Sequence, residues 1–297
     1  MITRRLFLKS SLITLPALGL ISNAMAARKP KVRFGVVTDS HYADREPGGI
    51  RYYRESLEKM AEFTEVMNKE KVDFVIHLGD FKDEDNSRRE EDTLKYLQNL
   101  EAVYAQFKGP RYHVIGNHDV DSISKAQFIA NVENTGIDSG LGYYSFDKKG
   151  FHFIVLDPNF HPDGTDHNKG DFEWFESTVP QPQMDWLKAD LGATKLPTVV
   201  FVHHSLYELP DETMHVDNSE DVRKVLEDSG KVTAVFHGHC HREGYSSING
   251  IHYTLLPAMV DNSGPENNAY AIIEGFDNGD MELTGYRKTR SRSYPAS

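Results

Sequence analysis

An α/β architecture, with two stacked sheets flanked by helices, is what this sequence predicts, and three observations predict it. Short runs rich in β-branched and aromatic residues recur along the chain, amphipathic stretches separate them in the earlier part, and the C-terminal part is mostly strand. Strand signals fall at 32–38, 72–78, 112–115, 143–146, 151–156, 198–202, 232–237, 251–256, 269–274 and 281–286. Between them, 51–68 sets Leu57, Met60, Ala61 and Thr64 along one face with charges elsewhere, and 93–107, 182–191 and 219–228 repeat that pattern. No repeat or low-complexity linker divides the chain, so a single domain is expected. With 297 residues, 39% of them hydrophobic, there is enough apolar material for a large core, which excludes disorder over most of the length. The longest stretch without a regular signal, 157–180, carries His161, His167, Phe172, Trp174 and Phe175. Irregular segments that long are uncommon unless functional, so it is expected to form a rim or lid.

Charge and cysteine content narrow the chemistry. The balance of 33 Lys+Arg against 45 Asp+Glu gives −12, which disfavours a protein that grips nucleic acid through a basic surface. A single cysteine, Cys240, excludes an intramolecular disulfide and any Cys-rich zinc module, so metal sites must be built from His, Asp, Glu and Asn. At the N-terminus, Thr3-Arg4-Arg5-Leu6-Phe7-Leu8-Lys9 precedes an apolar run over 12–21 and then Ala24-Met25-Ala26. This resembles a bacterial twin-arginine signal peptide over 1–26, implying export in folded form by the twin-arginine machinery to the periplasm or beyond. The run is about half of the ~20 residues a bilayer span needs and contains Pro16 and Gly19, so no stable membrane anchor is expected after cleavage. Cleavage would remove Arg4, Arg5 and Lys9 but no acid, leaving −15 over 271 residues, the 27–297 domain.

The chemistry lies where strand signals end. Asp39-Ser40-His41 follows the first, Gly79-Asp80-Phe81-Lys82-Asp83 the second and Gly116-Asn117-His118-Asp119 the third, while His203 and Gly238-His239-Cys240-His241 close two later ones. The crevice beyond the carboxyl ends of strands is where open α/β sheets collect ligands. In Asp39-x-His41 and His239-x-His241, an extended backbone would point both side chains to one side. The glycines before these blocks are expected to let the backbone turn sharply close to an ion. Asp39, His41, Asp80, Asn117, His203, His239 and His241 make seven donors. That is too many for one zinc and suits two divalent ions sharing a carboxylate.

These five blocks, D-x-H, G-D-x-x-D, G-N-H-D, H and G-H-x-H in that order, resemble the calcineurin-like metallophosphoesterases. The resemblance implies a four-layer α/β/β/α sandwich. It places Asp39, His41 and His241 on one ion and Asn117, His203 and His239 on another, with Asp80 bridging. Two departures stand out. Ser205 occupies the place of a usual proline after His203-His204, and Asp83 stands where the superfamily's purple acid phosphatases carry a tyrosine ligand, so a colourless pair such as Mn, Zn or Fe(II) is expected. The implied reaction is in-line attack on phosphorus by a hydroxide bridging the two ions. His118 would protonate the leaving oxygen while Asp119 orients it. The stretch from Gly238 through Arg242, Gly244-Tyr245 and Ile251-His252-Tyr253 to Pro257 is similar to the manganese-dependent ADP-ribose/CDP-alcohol diphosphatases. A small phosphodiester or nucleoside-diphosphate-linked substrate is therefore expected, the alternatives being a broad extracytoplasmic phosphomonoesterase and a non-catalytic metal-binding or interaction protein. His77, His113, His152 and His252 are expected to be structural, Cys240 a small buried hydrophobe, and His161, His167 and His215 surface histidines. Arg45, Arg51 and Arg54 offer one candidate phosphate contact, with Arg51 and Arg54 expected on a solvated helix face.

Overall fold

The computed structural model describes residues 28–209 and 214–296; the segment 1–26, expected from the sequence to be a signal peptide, lies outside them. Along the described chain run β1 (Val32–Val37), α1 (Ser56–Glu70), β2 (Phe74–His77), α2 (Glu90–Tyr104), β3 (Arg111–His113), α3 (Lys125–Asn131), β4 (Tyr144–Lys148), β5 (Phe151–Leu156), α4 (Gln181–Ala193), β6 (Thr198–Val202), α5 (Ser219–Ser229), β7 (Val232–His237), β8 (Gly244–Ile248), β9 (Ile251–Leu255), β10 (Ala269–Gly275), β11 (Met281–Arg287) and β12 (Arg292–Tyr294). They form two six-stranded sheets, ordered β12-β11-β10-β1-β2-β3 and β4-β5-β6-β7-β9-β8. Strands β1 to β3 are mutually parallel, as are β5, β6, β7 and β9. Ten of the strands coincide with the sequence signals; β8 and β12 do not.

Side-chain alternation along the strands builds the layers. Phe34, Phe74, Phe153, Phe201 and Phe236 point into the space between the sheets, whereas Val75 faces α1 and α2, and Val200 and Val235 face α4 and α5. Phe34 stacks on Phe74 at 4.8 Å and meets Phe153 and Phe201 edge-on at 5.4 and 5.7 Å. Each such buried aromatic contributes about 1.5–3 kcal/mol, which is why the middle layer holds the two sheets in register with each other.

Helix boundaries follow capping as much as apolar spacing. Helix α2 begins at Glu90, earlier than its apolar pattern, because Glu90, Glu91 and Asp92 sit favourably against the positive end of the helix dipole. Helix α3 lacks a long apolar stripe but is started by a capping box, Ser124 accepting from the Gln127 N–H and Gln127 Oε1 from the Ser124 N–H. Among the described residues no helix is long and apolar enough to cross a membrane. The parallel strands bring the ends of β1, β2, β3, β6 and β7 to one rim.

Candidate metal centre

The blocks after β1, β2 and β7 reach the rim in a conformation the sequence does not predict. Instead of the extended backbone expected for Asp39-x-His41 and His239-x-His241, Asp39, His41, His239 and His241 have φ of 52°, 43°, 66° and 55°, and Asp80 has 54°. Left-handed residues other than glycine cost about 1–3 kcal/mol each, and Asp, Asn and His are enriched among them. The surrounding ladder holds them there. The Asp39 N–H donates to Gly79 O at 3.1 Å, the His41 N–H to Asp80 O at 2.9 Å, and the Val260 N–H to Asp39 O at 3.0 Å. Of the preceding glycines only Gly79 turns through positive φ. Gly116 and Gly238 are required for closeness instead: a Cβ would lie 2.2 Å from Asp80 N at the first and 2.1 Å from Thr38 Oγ1 at the second.

Six of the seven expected donors form two adjoining groups, Asp39–His41–His241 and Asp80–His203–His239, with the donor atoms of each group within 4.8 Å of one another. Asp80 Oδ2 joins them, 3.4 Å from His41 Nε2 and 3.1 Å from His203 Nε2. Asn117, the seventh donor, lines the same cleft, and its Oδ1 is buried without a hydrogen-bond partner. The imidazoles are aimed from behind. His203 Nδ1 donates to Leu78 O at 2.8 Å, and His241 Nδ1 lies 3.0 Å from Asp261 Oδ1, so each ring turns Nε2 toward the centre. His41 Nε2 and His241 Nε2 approach to 3.0 Å. His203 Nε2, which faces Asp80 Oδ2, and His239 Nε2 are buried and make no hydrogen bond, which leaves both lone pairs available to a cation. Mixed imidazole and carboxylate donors suit divalent ions such as Mn, Zn or Fe(II), so the residues fit the group that the sequence implies.

Electrostatics support the grouping. Burial would raise Asp80, but His203, His118 and His41 hold it well below the usual carboxylate range. Burial would lower His203, yet the adjacent Asp80 pushes it up to about 9. His239 is pushed down to about 3 by burial and by His203. Behind it the ring of His204 lies 4.2 Å away, buried and held neutral by burial and by the neighbouring imidazoles. Ser205, in the place of the usual proline, fixes the turn through its hydroxyl, which donates to Tyr207 O at 2.8 Å.

The expected His118–Asp119 pair is not formed. Asp119 is consumed by the backbone, accepting from the Phe81 N–H at 2.9 Å, the Lys82 N–H at 3.3 Å and the Gly116 N–H at 2.8 Å. A side chain immediately after His118 in a one-turn 3₁₀ segment points away from it. Asp83 faces the imidazole instead, Oδ1 lying 3.4 Å from His118 Nδ1 and Oδ2 3.3 Å from His41 Nδ1. Burial would lower His118, but Asp83 and Asp80 raise it. Asp83, at the end of the G-D-x-x-D block, was visible in the sequence; its partner was not. Asp261, 20 residues beyond His241, carried no local signal.

A cleft of about 330 Å³ opens over these residues. Arg51, expected on a solvated helix face, lines it and brings Nη1 to 3.7 Å from Asp83 Oδ2, because the regular helix starts only at Ser56. Arg45 instead stacks on Tyr53, and Arg54 pairs with Asp44 and Glu46. The irregular 157–180 segment forms part of the rim: the Trp174 ring lies 4.6 Å from that of His118, and Phe175 lines the cleft beside it. Both aromatic side chains remain largely exposed at the mouth.

With this geometry in hand, comparison with known proteins is specific. The calcineurin-like phosphoesterase family matches residues 32–243. The chain is similar to the manganese-dependent ADP-ribose/CDP-alcohol diphosphatase of Arabidopsis thaliana, 25% identical over 311 residues, covering 91% of this chain and 98% of that protein. It is also similar to a 3′,5′-cyclic adenosine monophosphate phosphodiesterase of Haemophilus influenzae, 24% identical with 83% of each chain covered. In structure it resembles a dimetal phosphatase from Danio rerio, with a TM-score of 0.79 at 21% identity over 91% of this chain and all of that one.

Proposed function

Because the chain belongs to the calcineurin-like phosphoesterase family, a family of metal-dependent phosphoric ester hydrolases, we propose that it uses two divalent ions to hydrolyse a small phosphodiester or a nucleoside-diphosphate-linked compound. The observation that carries this reading is the pair of donor groups hinged on Asp80 Oδ2 beneath a cleft with an aromatic mouth. Bound to those donors, two divalent ions would supply the Lewis acidity that lowers the pKa of the attacking water and offsets charge on the phosphoryl oxygens. The chain does the rest. Arg51 offers a cation to a non-reacting phosphate oxygen. His118, with Nδ1 toward Asp83, holds a proton at Nε2 for the departing oxygen. Trp174 and Phe175 present an apolar surface to the far half of the substrate, where a base or sugar would stack.

That aromatic mouth favours a substrate with two sides to its phosphate over a bare monoester, and the named activities of the relatives support the same choice. The test is a rate comparison on metal-loaded protein with ADP-ribose, CDP-choline, a cyclic nucleotide, and nitrophenyl mono- and diesters. The proposal expects kcat/KM for at least one diester or diphosphate to exceed that for the monoester. The reverse order would support the broad monoesterase, and no turnover of any would support a binding protein. We further propose folded export through Arg4-Arg5. Replacing both with Lys should hold the precursor in the cytoplasm, and unaltered export would exclude this route.

A further inference from the structure

A second cluster of metal-ligating side chains lies outside the centre, within the 157–180 segment. His161, His167 and Glu176 each bring one donor atom to within 4.8 Å of the others. His161 Nδ1 is 3.1 Å from Glu176 Oε1, and the two imidazole rings are 4.8 Å apart. An ordinary His–Glu ion pair would account for His161 and Glu176. It does not account for His167, expected at the surface but fully buried, with neither ring nitrogen given a hydrogen-bond partner. Buried imidazoles nearly always have at least one partner, so this side chain points to something that completes it.

We propose that His161, His167 and Glu176 bind a divalent cation of the zinc class, separate from the catalytic centre, and that this ion fastens the rim segment. Two imidazoles and one carboxylate are a familiar zinc donor set, with a fourth position left for water. Bonds of about 2.0–2.1 Å draw donors to within about 4 Å of each other, a closure that small side-chain rotations supply. Asp171 Oδ1 stands 3.8 Å from His161 Nε2, on the side where a ligating imidazole presents its other N–H to a carboxylate. His161 and Glu176 are partly exposed, which leaves an entry path from solvent. The segment already folds back on itself, the His167 N–H donating to Asn159 O at 3.1 Å and the His161 N–H to Thr165 O at 2.9 Å.

The consequence reaches the catalytic cleft through ring contacts. His167 stacks on Phe172 at 4.4 Å, Phe172 meets Trp174 at 5.4 Å, and Trp174 lies against His118. An ion on His167 would hold this row of rings in place, so the site acts on the cleft by positioning Trp174 and does no chemistry of its own.

The test is zinc equilibrium dialysis followed by metal analysis on three full-length proteins: wild type, His161→Gln/Glu176→Gln, and the centre variant Asp39→Asn/Asp80→Asn. The rim variant should bind one equivalent fewer than wild type. The centre variant should keep one tight equivalent, and zinc should slow amide exchange over 157–180 in that variant but not in the rim variant. Equal zinc in wild type and the rim variant would overturn the rim site, as would a centre variant that binds none. A centre variant that binds as much as wild type, with the rim variant one equivalent short, would leave the rim site standing and remove the proposed centre instead. Because the two side chains substituted in the rim variant are partly exposed and Gln retains their polarity, a cooperative melt is expected in its metal-free form; should it fail to fold, exchange protection by zinc in the centre variant decides alone, its absence overturning the site.

Discussion

The second sheet treats histidine in opposite ways at its two ends. At the amino ends of the parallel strands, His152 on β5 places Nδ1 2.6 Å from Asp147 Oδ1 and Nε2 2.7 Å from Asp190 Oδ2. His252 on β9 places Nδ1 2.9 Å from Tyr245 Oη and Nε2 2.9 Å from Pro295 O. At the carboxyl ends, His203 is buried just as firmly and His239 is partly buried, yet neither Nε2 makes a hydrogen bond. Burial therefore does not separate structural from functional histidines in this protein. What separates His152 and His252 from His203 and His239 is that the fold has already used both ring nitrogens of the first pair, whereas a lone pair left unused in a dry site has value only to a ligand that arrives later.

The harshest way to break that contrast is at its hinge. Asp80→Asn removes the carboxylate shared by both donor groups, and should lower kcat/KM by about 10³-fold or more with loss of bound metal, whereas His152→Gln should leave both within about twofold. Metal analysis alongside kinetics checks this; wild-type turnover in Asp80→Asn would place the bridge elsewhere. Next comes His118→Ala, expected to cost about 10²–10⁴-fold with an alkyl or diphosphate leaving group and far less with nitrophenolate, which departs without a proton. Equal losses on both, with metal content intact, would remove His118 from the acid role.

A sharper comparison sets Asp83 against Asp119. Asp83→Asn should slow reactions with poor leaving groups about 10–100-fold and shift the limb of the pH profile that depends on protonated His118 to lower pH, because Asp83 raises that imidazole. Asp119, which burial and then Asp80 push up to about 7, should behave differently. Asp119→Asn exchanges an acceptor for an amide donor among three backbone N–H groups, so the expected result is a loss of about 1–3 kcal/mol in denaturant unfolding with the pH profile in place. A moved profile in Asp119→Asn and an unmoved one in Asp83→Asn would reverse the assignment.

The smallest effect belongs to the structural end. Burial would lower His152, but Asp190 and Asp147 outweigh it and raise the folded-state pKa above the ordinary 6.5. A group raised in this way gives its full stabilisation below about pH 6.5 and loses it as pH rises through the folded value. Asp147 is largely exposed, so the term is on the order of 1 kcal/mol, or about 2–4 °C in Tm. Melting curves from pH 6 to 9 should show that extra fall in wild type and not in His152→Gln.

The sequence alone determined the fold class, because alternation by two and by 3.6 is a local property that follows directly from which faces of a strand or helix are buried. It also determined the donor types and their order, since each block leaves the end of its own strand. Helix α3 carries no apolar stripe, so apolar spacing does not predict it; the Ser124-x-x-Gln127 capping box is the local signal that could have found it. Strands β8 and β12 were not legible, because one is a half-exposed edge strand and the other spans three residues at a sheet edge. Only the tertiary structure decided that Asp39, His41, Asp80, His239 and His241 are left-handed, since that strain persists only where ladders from other segments hold it. The same is true of Asp83 rather than Asp119 behind His118, Asp261 behind His241, Trp174 over the cleft and the burial of His167. Each of these is a contact between residues far apart in the chain or on opposite sides of a turn, and no periodicity in the sequence carries such a pairing. It is set by how two sheets and their loops close on one another.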